Sequence, residues 1–158
     1  MYDTYIYAER IIPEQDLTRA FAQATQSAPY SIAAIESSEL DGAVDAWGDP
    51  DTTTVLRHWT IPGEFPFAVE IVFKQSGISS QQETLTVLRQ VAADLNTPLL
   101  SIARNGVGTF RAIFPDGTDV LVDEDGAVSD PAIALTPAGR QVFDAKRAQS
   151  RTRMTAAN

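Results

Sequence analysis

Apolar and polar residues change their spacing several times along the chain, and each change marks an element. TYIYAERII, residues 4–12, alternates with a period near two and is rich in the β-favouring Tyr5, Ile6 and Tyr7, which predicts a strand. PEQDLTRAFAQAT then shifts to helical spacing through Leu17, Ala20, Phe21 and Ala24. Pro13 and the acids Glu14 and Asp16 stand at its start, where a helix tolerates the first and favours the others. PYSIAAIES predicts a second strand and TTVLRHWTI a third, with Val55, Arg57, Trp59 and Ile61 on one face and Leu56, His58 and Thr60 on the other. FPFAVEIVFKQ sets Phe67, Val69, Ile71 and Phe73 opposite Glu70 and Lys74, so one buried face is expected. Between the second and third strands, SSELDGAVDAWGDPDTT is dense in Gly, Asp and Pro and is expected to be an exposed loop.

The second half repeats the grammar. Ser80 with Glu83 three residues on forms a capping-box signature ahead of Leu85, Leu88, Val91, Ala92 and Leu95, and Asn96 with Pro98 stops that helix. PLLSIAR, GTFRAIF and TDVLVDE predict a meander of three strands turned by Asn105-Gly106 and Asp116-Gly117. Thr136 and Pro137 open a last helix that points Val142 and Phe143 at the core. The order is strand, helix, three strands, helix, three strands, helix. It predicts an α+β fold with a mainly antiparallel sheet and two or three helices on one face, for which a ferredoxin-like arrangement with added strands is a template.

A chain of 158 residues is the size of one ordinary domain and can bury a core without a staple. Residues 1–144 are expected to form it, with 145–158 as a fraying basic tail. The absence of cysteine removes disulfides, thiolate metal sites and cysteine nucleophiles together. Asp3, Glu9 and Arg10 interrupt the start where a secretory signal needs an unbroken apolar segment, which suggests a cytoplasmic protein. No run approaches the roughly 18 apolar residues of a membrane span.

The net charge of −9 is unevenly placed: Lys146, Arg147, Arg151 and Arg153 lie near the end with no acid after residue 144, which leaves 8 bases against 21 acids before them. A body this acidic repels a phosphate backbone, so nucleic acid is not an expected partner of the domain.

Candidate chemistry is sparse. DGTDVLVDEDG, residues 116–126, holds five acids, but on a strand Asp119 and Asp123 stand about 13 Å apart, too far to grip one ion. The run also lacks the alternating ligands of a calcium loop, so its acids are expected to face water. His58 is the one histidine and has no G-x-S-x-G partner motif. A small hydrolase using His58 with Glu70, or Glu70 paired with Glu36 or Glu64, is one alternative function. An oligomeric assembly or ligand-binding subunit pairing its sheet edges is another. Asn105-Gly106-Val107-Gly108 lies between strands, whereas a phosphate-cradling loop leads into a helix, so no nucleotide cofactor is expected.

ESSELDGAVDAWGDPD stands out by composition. Glu39, Asp41, Asp45, Asp49 and Asp51 surround Trp47 with no base among them. A large aromatic ringed by acids has the composition of an anchor for a basic protein partner; the other reading folds the ring back over the sheet edge. A small, cysteine-free, acidic α+β chain without a catalytic constellation resembles the immunity proteins by which bacteria neutralise toxic effectors. The likeness is one of character, nearest in the helix, strand and FPDGTDVLVDEDG succession. It implies a non-catalytic protein that masks a basic partner, with no metal or cofactor, and transfers no individual residue roles.

Overall fold

The computed structural model describes residues 2–75, 77–103 and 108–157, with the side chains of residues 40–43 left aside. The expected Asn105-Gly106 turn lies outside these residues. Tyr2–Ala8 forms β1, the middle strand of seven, and Glu14–Thr25 forms α1. Ile32–Glu36 is β2, Leu40–Gly48 is α2, Thr54–Thr60 is β3 and Phe67–Phe73 is β4. Gln81–Leu95 is α3, and Leu99–Ile102, Thr109–Ile113 and Asp119–Asp123 are β5, β6 and β7. Pro137–Ala156 closes the chain as α4.

The strands run β2-β3-β4-β1-β5-β6-β7, antiparallel except for the β2–β3 pair. Within this sheet the path β1-α1-β3-β4-α3-β5 builds the antiparallel order β3-β4-β1-β5, the split β-α-β connectivity of a ferredoxin-like unit. β2 is added at one edge and the β6–β7 hairpin at the other.

Local chemistry explains the boundaries. Ser80 Oγ accepts from the Glu83 amide while Glu83 reaches back to the Ser80 N–H, and Asn96 ends α3 with a left-handed φ of +48°. Gly117, at φ +85°, turns β6 into β7 with its N–H donating to Phe114 O at 2.9 Å. Thr136 Oγ1 caps α4 by accepting from the Gly139 amide at 3.0 Å.

Two helices, α1 and α3, pack on one face of the sheet as expected, and α2 and α4 cover the other. Phe67, Val69, Ile71 and Phe73 of β4 pack with Leu17 and Phe21 of α1 and Leu88 and Val91 of α3. The intervening Ala68 and Val72 are also buried: Ala68 joins a cluster with Phe143 of α4, and Val72 meets Ala46 of α2. A central strand covered on both sides loses its polar alternation. Glu70 alone interrupts it, and it is answered by a row across the sheet: Arg57 pairs with it at 2.6 Å and Tyr5 donates its hydroxyl at 2.9 Å.

The tail expectation is corrected. α4 continues without a break past residue 144 because its bases have partners: Arg147 bonds Glu9 at 2.6 Å and Asp144 at 2.9 Å, and Arg153 reaches Asp116 at 3.3 Å. Ser150 is buried and accepts from the Asp116 amide. Gly139, Phe143 and Ser150 define the inward stripe, spaced four and seven residues apart, which leaves Val142 turned outward rather than toward the core.

Candidate functional site

The acidic segment expected to be a loop is helix α2 over most of its length. Ala43, Val44, Ala46 and Trp47 supply helix-compatible residues, and Pro50 lies just beyond the end, where it drives Asp49 to an extended ψ of 117° and stops the helix. One apolar side anchors it: Ala46 packs on Ile35, Val55 and Val72. Lys74 fixes the far end, its Nζ donating to Ala46 O at 2.9 Å and Asp49 O at 3.0 Å, so a cation satisfies two carbonyls at the negative end of the helix.

This seating turns the rest of α2 outward. Val44 is 70% exposed and Trp47 42%, and a spacing of three puts them on one side of the helix. Trp47 thus lies partly exposed on the outer side of α2. Glu39, at the N-cap position, and Asp45 and Asp51 are exposed, and among the described residues no cation pairs with them. Asp41 belongs to the first turn. Asp49 has a structural duty: it accepts from the Asp51 amide and the Thr52 hydroxyl, both at 2.9 Å, and these bonds, in that order, hold its carboxyl below the ordinary range. Val44 escaped the sequence reading, although its place three residues before Trp47 was the available signal.

The run 116–126 is less exposed than its composition suggests, which corrects the water-facing expectation. Burial pushes the Asp119 carboxyl up, but Arg89 of α3 at 2.8 Å and Arg111 of β6 outweigh it and hold the group below the usual range. Asp116 behaves alike: burial opposes, and bonds from the Thr118 hydroxyl and amide, Ser150 and Arg153 prevail. Asp125 accepts from the Ala127 amide in a turn.

The hydrolase residues do not converge. Arg57 is the partner of Glu70 across β3 and β4, so the adjacent His58 projects from the opposite face. His58 instead meets Glu14 at the start of α1, Nε2 to Oε1 2.7 Å, beside the Phe67 ring. Glu36 is aligned with His58, and Glu64 lies near Arg140 and the Leu135 amide, so neither forms a carboxylate pair with Glu70. Among the described residues no three His, Asp or Glu side chains gather as metal ligands would, and no helix is long and apolar enough to cross a membrane. Comparison with protein-family models, with curated proteins and with solved structures returned no match.

Proposed function

We propose that the chain is a non-catalytic binding protein whose helix α2 docks on a basic protein surface and masks it, in the manner of an immunity protein that neutralises a toxic effector. The observation that carries this reading is the exposed side of α2: Val44 and Trp47 are exposed on one side of it, with the exposed acids Glu39, Asp45 and Asp51 on or beside the same helix, and no cation among the described residues pairs with them. An exposed aromatic can supply contact energy, and unpaired acids around it steer a basic partner and reject acidic ones. Acids elsewhere, such as Glu9, Glu70 and Asp119, are already neutralised within the fold.

The test is affinity capture from the native host, followed by binding measurements on the purified captured protein. A basic partner is expected, bound more weakly as salt rises from about 0.1 to about 0.5 M. Trp47→Ala should weaken it by about 2 kcal/mol or more, and Asp45→Asn with Asp51→Asn should mainly slow association. Unchanged affinity in a folded Trp47→Ala protein removes α2 as the site.

A further inference from the structure

On the face of the sheet opposite α2, a cavity of about 430 Å³ opens between the start of α3 and strands β1, β5 and β6. In a chain with 21 acids and 12 bases, no acid among the described residues lines it, whereas Arg111 does. The backbone N–H groups of Gln81 and Gln82 are the first two of α3 and have no hydrogen-bond partner among the described residues, whereas the Glu83 and Thr84 amides are held by Ser80. Ser101 is 8% exposed, and its hydroxyl likewise makes no hydrogen bond to a described residue while lining the cavity. Thr4 adds a second hydroxyl with no hydrogen bond to a described residue. Arg111 commits Nη1 to Asp119, and its other guanidinium nitrogens have no hydrogen-bond partner among the described residues.

Glu83 and Asp119, acids close in sequence or in contact with lining residues, are already engaged. Glu83 folds back on the Ser79 and Ser80 amides, and Asp119 lies between two arginines. The apolar part of the lining includes Leu85, Leu88 and Ile102. Unfilled amides at the positive end of a helix, a nearly buried unpartnered hydroxyl and an arginine form a receptor for an oxyanion, and the leucines receive a short apolar body.

We infer that this cavity binds a small organic carboxylate, its head held by the Gln81 and Gln82 amides, Ser101 and Arg111, and its tail against Leu85 and Leu88. The site is independent of the docking reading, since it uses the other face of the sheet.

The experiment is a titration of the full chain with sodium hexanoate, followed by amide ¹H–¹⁵N spectra at constant ionic strength, with 1-hexanol as the uncharged probe. Saturable shifts at Gln81, Gln82 and Ser101 with hexanoate, and little response to hexanol, are expected. Ser101→Ala should raise the hexanoate dissociation constant about tenfold, the value of one hydrogen bond to a charged group. Thr4→Val supplies the same comparison if Ser101→Ala alters the dispersion of the spectrum. Shifts that never saturate, equal saturation by hexanol, or affinity unchanged in both folded variants would overturn the inference.

Discussion

Asp119 joins three elements through one carboxylate, since Arg89 comes from α3, Arg111 from β6 and the acid itself from β7. Its native pKa is depressed, so the stability it confers is complete above its unfolded value of about 3.9 and is lost as pH falls through the lower native value. Asp116 follows the same sign. Asp119→Asn should cost about 1–3 kcal/mol at pH 7, because two partly buried arginines lose their partner, and much less below about pH 3. Urea unfolding of both proteins at the two pH values checks this; an equal deficit at both would show that the carboxylate charge is not the cause. None of this was visible in the acidic run itself. Sequence spacing placed Asp119 on the outward face of its strand, but it could not say that α3 covers that face and presents Arg89.

Helices α2 and α4 are the elements where local signals and tertiary context part company. The two start signals, Ser80 with Glu83 and Thr136 with Pro137, were readable because capping is decided within four residues. The continuation of α4 was not, since Glu9 and Asp116, which hold Arg147 and Arg153, come from distant parts of the chain. Truncation after Asp144 should therefore lower stability by roughly 2 kcal/mol or more, measured as the thermal or urea midpoint, whereas a frayed tail would be removed without effect. Gly139 tests the docking of the same helix. A Cβ there would lie 2.7 Å from Asp123 O and 3.0 Å from Asp123 N, so Gly139→Ala should destabilise by about 1–3 kcal/mol, against a helix-propensity gain of about 1. In α2 the density of Gly, Asp and Pro concealed a helix, because Pro50 and Asp49 terminate it rather than interrupt it and the patch of Ile35, Val55 and Val72 that seats Ala46 comes from three separate strands.

At the scale of the molecule, the α+β class and the mainly antiparallel sheet were legible because each strand and three of the four helices carry their own period. The two-sided covering of β4 was hidden, since Ala68 and Val72 look like ordinary alternates until α4 and α2 are placed over them. The acidic segment was legible in composition as Trp47 among unopposed acids, and its shape was not, because exposure depends on which side of α2 packs down. One sheet face thus carries the exposed Val44 and Trp47 side of α2 and the other the cavity at the start of α3. Hydrogen exchange of the chain, free and bound to its captured partner, tests the central claim most directly. Slowed exchange concentrated over residues 44–51 is predicted; protection confined to other elements, with α2 exchanging as it does in the free protein, would contradict it.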